Sequence, residues 1–237
     1  MTSIPSPAIV AQSVTKRLPR RVLWLFCLGY ILPGFIGREP WKNADVSAFG
    51  YMMALFNGQS NWLAPQALGQ APEGSALLPY WLGAWALQLS PSWVDPAFAV
   101  RVPFIALLVI TLLATWQGVY YLARSPRALP VVFAFGGEAK PKDYARTIAD
   151  GGLLALIACL GLAQFSHEAT PAMPQVCFVA VLFYAVAALP YHRAIAAAAF
   201  LLGLLGLTLS GAPSVAMALG IGSVVMFATD KQFEGNQ

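Results

Sequence analysis

The sequence predicts an all-α fold, a polytopic transmembrane helix bundle of about seven spans. Of its 237 residues 58% are apolar and only 10% are charged, and the mean hydropathy is +0.65. Soluble domains carry about 25% charged residues, so the composition excludes a soluble globular enzyme. It is also the reverse of a disordered chain, which is rich in charge and poor in apolar residues.

The predicted spans are the uncharged runs of the chain, because a bilayer core about 30 Å thick needs about 17–25 apolar helical residues. Ser210 to Pro213 interrupt the last run with residues that favour a turn, which divides it into a sixth and a seventh span. The runs are residues 22–37, 74–94, 102–123, 151–166, 169–191 and, divided at that turn, 194–229.

A basic cluster before the first span predicts the orientation, and it consists of Lys16, Arg17, Arg20 and Arg21. Loops rich in Lys and Arg stay in the cytoplasm, so residues 1–21 are expected to be a cytoplasmic tail. Residues 22–229 are expected to form the transmembrane domain, and 230–237 a C-terminal tail. Alternation then places the loops 38–73 and 124–149 outside. The expected location is a bacterial-type inner (plasma) membrane, crossed several times.

The first external loop contains a predicted interfacial helix. Asn43 or Asp45 can cap its start, and Gly58 can end it. Apolar residues recur at three- and four-residue steps between them, at Val46, Phe49, Met53 and Phe56. A short helix with one apolar face lies flat at a membrane surface. Asp45 is then either a helix cap or a carboxylate that serves as a general base or a metal ligand.

Three stretches of this region resemble a known family. They are Glu39-Pro40-Trp41 with Asp45, then Gly58-x-x-Asn61-Trp62-Leu63-x-Pro65, and then Leu78-Pro79-Tyr80-Trp81-Leu82. Together they resemble the N-terminal part of membrane glycosyltransferases of the C superfamily, in particular protein O-mannosyltransferases and lipid A aminoarabinose transferases. The resemblance covers roughly residues 20–165 and includes Arg146-x-x-x-Asp150, which is similar to the family's second external acidic position.

This resemblance implies transfer of a sugar from a polyprenyl-phosphate donor to a lipid or protein acceptor at the periplasmic face. It implies Asp45 as the catalytic carboxylate, with Glu73 and Asp150 as secondary acids that act directly or through a divalent cation. The sequence does not identify the ligands of such a cation. Lys and Arg side chains can neutralise a phosphate leaving group, and the candidates on the second external loop are Arg124, Arg127, Lys140, Lys142 and Arg146.

Departures from the family pattern leave other functions open. Ala76-Leu77-Leu78-Pro79 stands where the family has Lys-Pro-Pro-Leu, and Val46 follows Asp45 where the family has a second carboxylate. One alternative is therefore a non-catalytic membrane subunit, or the truncated N-terminal module of a split transferase that a second chain completes. Another is a small transporter, which the almost charge-free spans disfavour. No nucleic-acid partner is expected.

His167 and Glu168 are the remaining candidate pair. The predicted topology places them on the cytoplasmic side, after the fourth span. Two adjacent residues rarely hold a metal ion by themselves, so a structural role is the simpler expectation.

Overall fold

The computed structural model describes residues 9–16, 18–72 and 74–229, with the side chain of Gln164 left aside. Within these ranges the fold is all-helical, and extended pairing is limited to isolated bridges. The α-helices are α1 Arg20–Phe35, α2 Asn43–Phe56, α3 Leu78–Leu89, α4 Pro96–Ala99, α5 Val102–Ala123, α6 Pro141–Ile157, α7 Leu160–Phe165, α8 Ala172–Ala188, α9 Arg193–Leu209 and α10 Pro213–Thr229.

Helix α5 is the centre of the bundle and packs against α6 and α8, while α9 packs against α8 and α10. Small residues allow the closest approaches. A Cβ added to Gly118 of α5 would overlap the ring of Phe183, and one added to Gly206 of α9 would overlap the ring of Phe178. Leu108 and Leu207 are fully buried in the resulting core.

The long helices run alternately between two ends of the bundle. At the Asp45 end, Arg101 and the backbone of Ala169 contact Asp45, which joins the starts of α2, α5 and α8. At the Arg124 end, the Tyr191 hydroxyl donates to the carbonyl of Tyr121, which joins the end of α5 to the start of α9. Helix α6 runs back from the Arg124 end, and α7 continues it to the Asp45 end.

Helix α3 is much shorter than the span predicted over residues 74–94. It has 12 residues, about 18 Å of helix at 1.5 Å per residue, and it ends where Ser90 and Pro91 follow Leu89. It packs against α2, where Met52 fills the space beside Gly83. Together α2 and α3 form a helical pair between the end of α1 and the start of α5. The run is uncharged, but only 12 of its 21 residues belong to the helix.

The N-terminal segment and the segment 124–149 lie at the same end, although the sequence analysis expected them on opposite sides. Gln12 donates its backbone N–H to the carbonyl of Gly137 at 2.9 Å, and its side chain donates to Asp143 at 3.0 Å. Ala139 donates to the carbonyl of Val10 at 2.9 Å. The alternation fails because α3 does not lead the chain from one end of the bundle to the other.

One helical stretch of the described residues, Pro96–Ala123, is both long and apolar enough to cross a membrane. It has 28 residues and a mean hydropathy of 2.4 over its best window. Helices α8, α9 and α10 are apolar but have 17 residues each. The turn predicted at Ser210 to Pro213 is confirmed, since α9 ends at Leu209 and α10 begins at Pro213.

Candidate functional site

A buried ion pair lies at the Asp45 end of the bundle. Asp45 stands in the first turn of α2, and Arg101 directly precedes α5; each is only 1% exposed. The Arg101 Nη2 lies 3.4 Å from the Asp45 Oδ2, and the backbone N–H of Ala169 donates to the Asp45 Oδ1 at 3.0 Å. Asp45 therefore connects α2 to α5 and to the segment before α8.

A second ion pair lies beside the first. Lys42 forms an ion pair with Glu168. Glu168 is buried, with 2% of its surface exposed, whereas the Lys42 side chain is partly exposed. The Lys42 ammonium also lies 5.2 Å from the ring centroid of Trp41, over which the Arg38 guanidinium lies at 5.1 Å. Trp41 itself is 62% exposed. Two partly exposed cations and an exposed indole thus lie outside the two buried acids.

His167 supports the loop that carries Glu168. Its Nε2 lies 2.9 Å from the carbonyl oxygen of Tyr30, and its Nδ1 lies 3.1 Å from the Ser166 hydroxyl and 3.2 Å from the carbonyl oxygen of Ala163. The Tyr30 hydroxyl lies 3.1 Å from the same serine oxygen. The imidazole packs 5.1 Å from the ring of Phe35. His167 and Glu168 therefore lie at the Asp45 end, although the predicted topology put them on the opposite side from Asp45.

Arg101 is the residue of this site with unmet hydrogen-bonding capacity. Its Nε and Nη1 are buried and have no partner in the described structure. Arg38 and Asp95 are near enough to act on its charge electrostatically. Buried polar groups in proteins are nearly always hydrogen-bonded, so two buried guanidinium nitrogens without a partner, which carry three N–H groups, are an unusual feature of this site.

The other predicted acids do not join Asp45. Asp150 lies within α6, 3% exposed, and accepts a 2.8 Å hydrogen bond from the Trp116 indole. Trp116 is about 22 Å along α5 from Arg101 at 1.5 Å per residue, so Asp150 lies far from the Asp45 end. The helical bundle thus buries an ionisable residue, although the sequence indicated that the predicted spans hold almost none. Glu73 lies outside the described residues.

The five predicted phosphate-binding cations lie at the Arg124 end. Helix α5 has 22 residues, about 33 Å, and separates this end from Asp45. Arg124 lies between the rings of Tyr120 and Tyr191, at 5.5 and 5.2 Å from their centroids. Burial raises the pKa of Tyr191, and the charge of Arg124 opposes this shift. Arg127, Lys140, Lys142 and Arg146 follow in the segment 124–149 and the first turns of α6.

The described residues contain no group of three His, Cys, Asp or Glu side chains placed to hold a metal ion. Asp45 and Asp150 are too far apart to share one. Cys27, Cys159 and Cys177 are free thiols.

Sequence reasoning missed Arg101 and gave Glu168 a structural role. The signal that could have identified both is a lone charge at the edge of a long apolar run, since such charges in membrane proteins are costly and mark functional or structural sites.

No protein family model, no curated protein and no solved structure matches this chain.

Proposed function

We propose that the chain is a multi-pass inner-membrane protein with its Asp45 end outside and its Arg124 end in the cytoplasm. The charge distribution supports this orientation, because Lys and Arg accumulate on the cytoplasmic side of membrane proteins. The Arg124 end carries Lys16, Arg20, Arg21, Arg124, Arg127, Lys140, Lys142, Arg146 and Arg193, with Glu138 and Asp143 as its acids. The Asp45 end carries Arg38, Lys42 and Arg101, with Glu39, Asp45, Asp95 and Glu168 as its acids.

Six stretches are proposed to cross the membrane: α1, Pro96–Ala123, α6 with α7, α8, α9 and α10. Their alternating directions support this count, one fewer than the sequence predicted. A helix of 17 residues spans about 26 Å, close to the thickness of a bilayer core, about 30 Å. Large apolar side chains on outward faces support contact with lipid, among them Trp24, Leu25, Leu201, Leu205 and Ile221.

At the Asp45 end, the proposed reaction is transfer of a sugar from a polyprenyl-phosphate donor to a lipid or protein acceptor, as in the family that the sequence resembles. The observation that carries this proposal is the position of Asp45. It is a carboxylate in the first turn of the helix that follows the first crossing, on the proposed external side. Arg38, Lys42 and Arg101 lie around it and provide positive charge.

In the proposed reaction the Asp45 carboxylate and the cations beside it have different roles. The Asp45 carboxylate accepts the proton of the acceptor hydroxyl as the acceptor oxygen bonds to the anomeric carbon of the sugar. The bond from that carbon to the phosphate oxygen breaks, and the phosphate leaves with the electron pair. Cations beside Asp45 stabilise the phosphate charge. The cations of the segment 124–149 lie at the other end of the bundle. They therefore take no part in the proposed reaction and contribute only to the proposed orientation of the chain in the membrane.

A non-catalytic membrane subunit is the second candidate, and one observation favours it. Both oxygens of Asp45 have partners within the protein, and the residue is 1% exposed. In this case Asp45 is structural and holds α2 against α5, and a second chain supplies the reacting groups. This candidate retains the membrane topology and removes the catalytic role.

The test compares sugar transfer from a polyprenyl-phosphate donor by purified wild-type protein, Asp45→Asn and Asp95→Asn. Asp95 is the matched control, because it caps α4 at the same end but is exposed. Asn caps helices about as well as Asp, whereas it cannot serve as a base. We expect Asp45→Asn to lower the rate by about 10²–10⁴-fold and Asp95→Asn to retain it. Equal rates for all three proteins contradict the catalytic assignment, and no transfer by any of them supports the subunit.

A further inference from the structure

The Arg101 guanidinium makes one long contact, and two of its three nitrogens have no hydrogen-bond partner in the described structure. Hydrogen bonds between Arg and a carboxylate are usually about 2.7–2.9 Å long and often bidentate. Here a single contact of 3.4 Å joins Nη2 to Asp45, while Nε and Nη1 face no acceptor within the described structure. A buried donor left without a partner destabilises the folded protein. The arrangement is therefore that of a guanidinium poised to take a second acceptor.

An anion is the acceptor that suits the groups around Arg101. Asp45 is the carboxylate that touches the guanidinium, and it also accepts from Ala169. Glu168 is engaged by Lys42. Arg38 adds a positive charge near Arg101 and is only partly buried, with its guanidinium on the exposed ring of Trp41. Asp95 also acts on the charge of Arg101, so Arg38 and Arg101 are matched in charge by Asp45 and Asp95. The unpartnered nitrogens of Arg101, rather than a positive net charge, favour an anion.

We infer that Arg101 and Arg38 together bind a phosphate group, and that this phosphate draws the Arg101 guanidinium away from Asp45. A phosphate offers several acceptor oxygens and pairs bidentately with guanidinium groups, which satisfies Nε and Nη1. The identity of the ligand as a lipid-linked phosphate rests on the proposed function. Arg38 lies on the partly exposed side of the pair and is the first contact for a ligand that enters from the membrane surface.

This displacement has a consequence for Asp45. In the present structure its Oδ2 is covered by Arg101, and no acceptor hydroxyl can reach it. Once Arg101 turns to the phosphate, Asp45 retains the hydrogen bond from Ala169 and its second oxygen becomes free. Arg101 thereby couples binding of the phosphate to exposure of the carboxylate.

The experiment measures binding of farnesyl phosphate, farnesol and inorganic phosphate to the full chain in detergent. The variants are Arg101→Gln, Arg38→Gln and Asp45→Asn, with Arg124→Gln at the opposite end as the matched control. Loss of a charge-assisted bidentate contact of about 1.5–3 kcal/mol weakens binding about tenfold to a hundredfold. We expect this loss for farnesyl phosphate in Arg101→Gln and a smaller one in Arg38→Gln. Arg124→Gln should bind as the wild type does, and Asp45→Asn more tightly, because a competing carboxylate charge is removed.

The outcomes separate the phosphate from its source. If inorganic phosphate binds as tightly as farnesyl phosphate and with the same dependence on Arg101, the site stands and its ligand is free phosphate. If farnesol binds as tightly as farnesyl phosphate, or if both arginine variants bind farnesyl phosphate as the wild type does, the inference is overturned. Should Arg101→Gln not fold because it leaves Asp45 unpaired, the double variant Asp45→Asn/Arg101→Gln and the single variant Arg38→Gln provide the same comparison.

Failure of the proposed function is distinguishable from failure of this inference. Binding that depends on Arg101 without any sugar transfer supports the site and contradicts the enzyme. Sugar transfer that is unaffected by Arg101→Gln and Arg38→Gln supports the enzyme and contradicts the site.

Discussion

Gln12 donates a 3.0 Å hydrogen bond to Asp143, which is 131 positions further along the chain. The side-chain oxygen of the same glutamine accepts from the backbone N–H of Lys140 at 2.6 Å. A residue before the first helix is thus fixed to the segment that opens α6. Helices α1 and α5 each run the length of the bundle. This contact therefore places the basic cluster before α1 and the basic cluster of the segment 124–149 at the same end.

The first prediction concerns this shared side. In a background with Cys27, Cys159 and Cys177 replaced by alanine, Gln59→Cys should react with an impermeant thiol reagent on intact cells. Ala134→Cys should react only after the membrane is opened, because it lies at the proposed cytoplasmic end. Both positions are exposed, so access to the reagent depends on the side of the membrane. Labelling of Ala134→Cys from outside contradicts the proposed topology.

The second prediction compares two glycines of α1. A Cβ on Gly34 would overlap the His167 ring, whereas a Cβ on Gly29 meets nothing within 4 Å. Overpacking of this kind costs about 1–3 kcal/mol, so Gly34→Ala should lower the thermal unfolding temperature in detergent. Gly29→Ala should leave it equal or raise it, because alanine favours helix more than glycine does. Equal melting temperatures for the two variants refute the packing of α1 against His167.

The third prediction concerns the contact between α8 and α9. Gly206→Ala should destabilise the protein because its Cβ would overlap the ring of Phe178. Gly222→Ala in α10 is the matched control, since nothing lies within 4 Å of its added Cβ. Unfolding in denaturant should give a lower midpoint for Gly206→Ala alone. A midpoint shared by both variants and the wild type would show that α8 and α9 do not meet there.

The fourth prediction concerns the buried carboxylate of α6. Trp116→Phe removes the donor to Asp150, whose other oxygen already has no partner in the described structure. An unpaired buried polar group costs about 1–3 kcal/mol, so this variant should be clearly less stable. Trp93→Phe serves as the control because Trp93 is 83% exposed. In a double-mutant cycle, Asp150→Leu should recover part of the stability lost in Trp116→Phe. Additive effects contradict the hydrogen bond.

Much of the helical structure could be predicted from single residues and runs. The helix predicted to start at Asn43 or Asp45 and to stop at Gly58 is α2, which spans Asn43–Phe56, and Gly58 has the positive φ of +68° expected of a helix end. The predicted cap is wrong, because Lys42 is the N-cap residue and no side chain caps this helix. The turn between α9 and α10 also follows from the sequence, because Gly211 and Pro213 disfavour a continuous helix. These features are local, and local sequence determines them.

Predictions from the sequence are wrong where contacts between distant residues decide the structure. Absence of charge predicted a span over residues 74–94, but helix length also depends on where the chain finds packing partners, and α3 meets α2 instead. The expected alternation therefore put the five cations of residues 124–149 on the same side as Asp45, whereas the structure places them at the opposite end of the bundle. The pairing of Asp45 with Arg101 joins positions 56 apart. Nothing in the spacing of either residue identifies the other, because the contact depends on how the helices pack.

The packing of α5 against α8 has a consequence for how the protein is made. Residues 124–171, which include α6 and α7, separate these two helices in the chain. At synthesis rates of about 5–20 residues per second, α8 emerges from the ribosome about 2–10 s after α5. During this delay the face of α5 that carries Gly118 waits without its final neighbour. The bundle therefore cannot assemble by strict addition of each new helix to the previous one, because α8 adds to α5 and not to α7, which precedes it in the chain.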